Sequence, residues 1–157
     1  MSLCVGSIEK DDTNFITHFQ AGKLYLYGID EDDDVIDIEK AEKHLRLSAR
    51  YAESEIEFSP EITSMAAEAY FHASIACYIQ GNENHHKNNA RKAKDYYNEA
   101  IKLAKKSVEL NPSLYESNYH LSKYYSLLDN KKEALKNYRH AYIAFKKKIL
   151  GLKDYTV

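Results

Sequence analysis

Apolar side chains recur along this chain at spacings of three and four, not two. Ala93, Tyr97, Ala100, Ala104 and Val108 make one such stripe; Ala134, Tyr138, Ala141, Phe145 and Ile149 make another. That spacing gathers the apolar residues on one face of an α-helix. The breaks between stripes carry start signals. "SPEI" sets Ser59 as a cap and Pro60 at the first helical position, where its missing N–H costs nothing. "NPSL" repeats the device with Asn111 and Pro112. Asp37 in "DIEK" and Asn130 in "NKKE", with Glu133 three residues later, give two more caps. The pattern predicts six helices, over about 12–28, 37–58, 60–81, 88–110, 112–128 and 131–151.

A shift of 52 residues shows an internal repeat. Lys40–Ile62 lies over Lys92–Leu114 without a gap, pairing Ala41, Ala52, Glu57 and Pro60 with Ala93, Ala104, Glu109 and Pro112. The same shift carries Phe19, Ala21 and Gly22 onto Phe71, Ala73 and Ser74. A third copy follows, with 12 residues from Ser122 to Ala134 where Gly22 to Ala41 and Ser74 to Ala93 are each 19. The chain therefore reads as three helix pairs, about 12–58, 60–110 and 112–151, with flexible ends at 1–10 and 152–157. A pair cannot bury its apolar face alone, so pairs stack. Small residues mark the close approaches: Gly22, Ser74 and Ser122 on first helices, opposite Ala41, Ala93/Ala100 and Ala134 on second ones.

Composition narrows the field. Seven Gly and Pro in 157 residues are too few for a sandwich or barrel stitched by tight turns. A net charge of −2, from 22 basic and 24 acidic residues, gives no general attraction to nucleic acid or to an anionic membrane. No apolar run approaches a membrane span, and the start lacks a signal peptide's apolar region. Two cysteines, Cys4 near a loose terminus and Cys77 in an apolar run, make no disulfide framework and fit a cytoplasmic setting. The opening "MSL" is compatible with a vector remnant, in which case the chain is a piece of a larger protein.

The third pair, "ESNYHLSKYYSLLDNKKEALKNYRHAYIAF", resembles a tetratricopeptide repeat. Leu121 and Ser122 stand at the leucine–glycine pair and Tyr125 at the next large position. Asp129 and Asn130 match the turn, Ala134 the first alanine, Tyr138 the aromatic and Ala141 the second small site. The tryptophan position holds Asn118. The first pair, "HFQAGKLYLYG" with "DIEKAEKHLRLSA", is similar to the Sel-like branch, with extra residues in its acidic loop. The resemblance implies an all-α solenoid, three stacked antiparallel helix pairs in a right-handed superhelix. It also implies a non-catalytic scaffold whose first helices line a concave groove for a peptide or partner domain. The family's groove positions fall on Phe19, Gln20, Lys23 and Tyr27, on Phe71, His72, Ile75 and Tyr78, and on Tyr119, His120, Lys123 and Leu127. Where some members carry basic residues that clamp a terminal carboxylate, this chain has Glu116 and His120, so that activity is not carried over.

Sharper chemical signals thin out on inspection. "DEDDD", Asp30–Asp34, spaces carboxylates as a calcium loop would, but the sixth and twelfth positions hold Val35 and Ala41 instead of glycine and glutamate. His85 and His86 sit in "NENHHKNN", read as a hydrated polar loop without further spaced zinc ligands. His18 falls on a packing position, whereas His72 and His120 are equivalent groove positions with a pH response expected near neutrality. Cys77 reads as a small buried hydrophobe. Lys146–Lys148 suit a helix C-terminus. No nucleophile–base set, metal site or cofactor site emerges. The sequence points to an interaction module with aromatic anchors Phe19, Tyr27, Phe71, Tyr78 and Tyr119, basic Lys23 and Lys123, and the two groove histidines. The alternative is a structural or oligomerising segment of a longer array, which exposed Tyr and Leu on the sixth helix would favour.

Overall fold

The computed structural model describes residues 14–29 and 33–151. The two ends at 1–10 and 152–157, Cys4, the expected start of the first helix at 12 and Asp30–Asp32 of the acidic loop lie outside the described residues. Six α-helices follow in order among them: α1 Phe15–Tyr27, α2 Ile38–Glu55, α3 Thr63–His86, α4 Ala90–Leu110, α5 Tyr115–Leu127 and α6 Lys131–Leu150. Consecutive helices pack on one another along the whole chain, and α3 also touches α1. The architecture is the all-α solenoid of stacked helix pairs.

Side chains fix most of the helix starts. Asn14 accepts from the N–H groups of Ile16 and Thr17, Asp37 from Lys40, Asn89 from Lys92 and Asn130 from Glu133. The two proline signals behave differently. Ser59 makes no capping bond, and Pro60 opens a single 3₁₀ turn, Pro60–Ile62, before α3. Asn111 bonds the N–H and hydroxyl of Ser113, forming a tight polar turn, so α5 begins only at Tyr115.

The equal 19-residue spacings of the first two pairs are used in different ways. Gly28 ends α1 with φ of 79°, and a loop with the 3₁₀ turn Asp33–Val35 leads to Asp37. At the equivalent place α3 has Gln80, and the helix continues through Gly81 to His86. The reading of His85 and His86 as loop residues is therefore corrected: both lie in the last turn of α3. The turn itself is short and passes through Asn88, at φ of 61°.

Small residues do mark the close approaches, with partial changes of partner. A Cβ at Gly22 would lie 2.5 Å from Leu45 Cγ, so the glycine receives Leu45, one turn beyond Ala41. Gly81 receives the Tyr97 ring in the same way, and Tyr97 Oη then donates to Asn82 Oδ1. Ser122 Oγ donates to the Ala134 carbonyl at 2.7 Å, as the sequence pairing implies. Ser74 turns to the next layer instead, donating to the Phe71 carbonyl and lying 3.1 Å from the Tyr124 hydroxyl.

The main core joins all three pairs through Leu26, Leu45, Ala49, Tyr70, Ala76, Ile101, Leu121 and Tyr124, among others. A smaller cluster of Phe15, Ala52 and Ala66 closes one end of the first two pairs. His18 is buried, 3.0 Å from His44 and beside Tyr51, as its packing position implies. Across the second helices, Arg46 bridges Glu42 and Glu99, and Lys106 reaches Glu53. Cys77 is buried beneath Arg46, whose Nη2 lies 3.5 Å from the sulfur. Burial first, then the Glu42 charge, pushes its thiol up to about 12.

Candidate functional site

The first helices of the three pairs, α1, α3 and α5, carry the nine candidate residues, and ring contacts link them into one row. Phe19 and Tyr27 of α1 both meet the His72 ring edge-on, at 5.8 and 5.5 Å between centroids. Phe71 touches His72 at 5.1 Å and His120 at 5.0 Å, and His120 meets Tyr119. The row closes through Tyr124, which contacts His120 on one side and Tyr78 on the other. Lys23 stands over the Phe19 ring at 5.2 Å and Lys123 over the Tyr78 ring at 4.3 Å. These are cation–π distances, and they hold both ammonium groups above aromatic faces.

Helix geometry explains the gathering. Phe19, Lys23 and Tyr27 are four residues apart, as are His120 and Tyr124, so each set rises along one helix face. Exposure differs sharply within the row. Tyr27, Tyr119, Lys23 and Lys123 are exposed, whereas Phe71 is buried and Phe19, His72, Tyr78 and His120 are half-buried. Of the five aromatic candidates, Tyr27 and Tyr119 therefore present most surface. Tyr124, which sequence reading passed over, is fully buried and ties α5 to α3. Its signal was available: it follows His120 by one turn.

Electrostatics correct the histidine expectation. Burial, then the charges of Lys23 and His120, lower His72 to about 4. Burial, then Lys123, also lowers His120, with Glu116 opposing. His72 is thus neutral around neutral pH, so the pH response expected there does not come from this residue. Its Nδ1 is already engaged with the Tyr27 hydroxyl at 2.6 Å. Burial raises the Tyr27 phenol to about 12. Burial also acts to raise Tyr78, but hydrogen bonds from Asn82 and Lys123 and the Lys123 charge outweigh it, and the phenol is lowered.

No protein-family model and no curated protein matches this chain. Solved structures do. The chain is similar to one titled "Crystal structure of MamA", at 17% identity over 94% of this chain and 87% of that one, with a TM-score of 0.33. A second, "Crystal structure of MamA protein", is 16% identical over 96% and 82%, with a TM-score of 0.36. Likeness at that level carries no argument about this chain, whose architecture rests on its own six helices.

Among the described residues, no group of three or more His, Cys, Asp and Glu could hold a metal ion. No helix among them is long and apolar enough to cross a membrane. What the row offers chemically is contact: π-faces, two ammonium groups and tyrosine hydroxyls, one of them already bonded to His72.

Proposed function

We propose that the chain is a non-catalytic interaction scaffold that holds a short segment of a partner protein across the face of α1, α3 and α5. The observation that carries this reading is the row itself: aromatic rings from three successive layers, edged by two exposed lysines. Tyrosine and phenylalanine give large contact area at small cost in side-chain entropy, and aromatic residues are enriched where binding energy concentrates. The segment that fits has apolar side chains for Tyr27 and Tyr119 and a carboxylate for Lys23 or Lys123. Cytoplasmic residence belongs to the same reading, supported by Cys77, a buried free thiol. The test is a pull-down with the wild type and the Lys23→Glu, Lys123→Glu double variant. Partners that bind this face leave the double variant while its helical circular dichroism persists. Partners retained by a folded double variant overturn the reading.

A second reading, a structural segment of a longer stack, has its own observation. The outer side of α6 exposes Leu135, Tyr138, Tyr142, Phe145 and Ile149.

A further inference from the structure

Equivalent positions of the three second helices have unequal fates. Four residues after the first alanine of each stand Leu45, Tyr97 and Tyr138, exposed by 0%, 7% and 52%. The positions eight and eleven after it are buried in the first two layers, as Ala49 and Ala52 and as Ile101 and Ala104. In the third they are Tyr142 and Phe145, both exposed. On the first helices Phe71 is buried with His120 of the next layer packed on it, while its equivalent Tyr119 is 52% exposed. A terminal layer ordinarily turns polar where no neighbour follows. The third layer carries larger apolar groups at these positions than the first two, and no described helix covers them.

The exposed residues have a definite geometry. Leu135, Tyr138, Tyr142, Phe145 and Ile149 alternate spacings of three and four, the seam pattern by which one helix accepts another. The seam runs roughly 21 Å at 1.5 Å per residue. It borders an open depression of about 560 Å³ between α5 and α6, lined by Tyr119, Lys123, Leu127, Leu135 and Tyr138. Phe145 packs edge-on against Tyr115 at 5.2 Å, and Lys146 stands over the Tyr142 ring at 5.0 Å.

Charge decides the occupant. α6 carries seven lysines and arginines against one carboxylate, Glu133, in a chain whose net charge is −2. Two copies joined α6 to α6 would set these cationic helices side by side. At the other end of the stack, α1 exposes only Ile16 and Tyr27 as large apolar groups, three turns apart, which is no matching seam. Leu135 and Tyr138, the start of the seam, line that depression together with Tyr119 and Leu127, a recess suited to a row of partner side chains rather than to the even surface of a bilayer. We propose that the α5–α6 face docks an amphipathic helix of a partner protein, apolar along one side and acidic at its flanks, seated as a seventh helix. The proposal rests on the α6 face described above; it shares Tyr119 and Lys123 with the α1–α3–α5 row, and Lys23, which belongs to that row alone, separates the two.

The probe is a labelled synthetic helix of about 18 residues with leucines at the seam positions and glutamates beside them, compared with a version carrying lysines instead. Anisotropy should show the acidic helix binding at least about tenfold more tightly than the basic one, and more weakly as salt shortens the reach of the charges. Tyr142→Ser with Phe145→Ser, both solvent-exposed, should abolish binding with circular dichroism unchanged; Lys23→Glu should not affect it. Failure of the acidic helix to bind, or equal binding of both peptides, overturns the proposal. A wild-type dimer in sedimentation that the double serine variant dissociates also overturns it, leaving the end face as a contact between copies. Binding to phosphatidylserine vesicles that the same variant loses, without peptide binding, would make the face a membrane contact and overturn it too. A double variant that changes none of these readouts removes the end-face reading as well.

Discussion

Gly22→Ala isolates the close approach of α1 and α2. In an open helix this change stabilises by about 1 kcal/mol, because glycine loses more backbone freedom on folding. Here the new methyl group would lie 2.5 Å from Leu45 Cγ, 2.8 Å from Cδ2 and 3.2 Å from the Leu45 backbone nitrogen. Cγ is a branch point, and Leu45 is fully buried among core residues, so it has no free space into which to swing. The two helices must separate or Leu45 must leave its rotamer. Overpacking of this kind costs about 1–3 kcal/mol, and so close a contact belongs near the upper end. After the propensity gain, a net loss of about 2 kcal/mol remains. For a chain of this size that lowers the melting temperature by about 4–8 °C. Thermal unfolding followed by circular dichroism reads it directly. The control is Leu45→Ala in both backgrounds: with the leucine gone the alanine at 22 should become neutral or stabilising, giving a coupling above about 1 kcal/mol. A Gly22→Ala protein that melts higher than wild type would refute the helix contact itself.

The depressed His72 pKa makes stability depend on pH. Its folded value, about 4, lies below the ordinary 6.5, so between them the unfolded chain binds the extra proton. Stability should be complete above about pH 7 and fall as pH drops toward 4, by an order of 2–3 kcal/mol from this group; urea titrations of wild type and His72→Gln check it, and equal pH slopes for the two would count against it. Cys77, buried and with its thiol raised to about 12, should react with a thiol reagent in native protein far more slowly than in denaturant. Comparable rates would mean that the α2–α3–α4 packing opens readily.

Most of the architecture was legible because it depends on local pattern. Stripes at three and four, caps at Asp37 and Asn130 and the 52-residue shift are properties of neighbouring residues, and they predicted six helices in three pairs. Where a residue's local preference was weak, tertiary structure chose. Ser59 and Asn111 are good caps in isolation, yet the chain uses them in a 3₁₀ turn and a polar turn. The stretch around His85 and His86 reads as loop by composition. It is helix because α3 meets no glycine exit at Gln80 and Tyr97 packs onto Gly81. The candidate row was legible as positions, not as chemistry. That Phe19, His72 and His120 fall on first helices follows from the repeat; that burial holds His72 near pKa 4 follows only from Phe71, Tyr27 and Lys23 closing around it. The face of α6 was decided last of all. Tyr138 and Tyr97 share a repeat position, and nothing in either side chain says which will be covered. Coverage belongs to the next layer: α4 is followed by α5, and α6 by no further helix among the described residues.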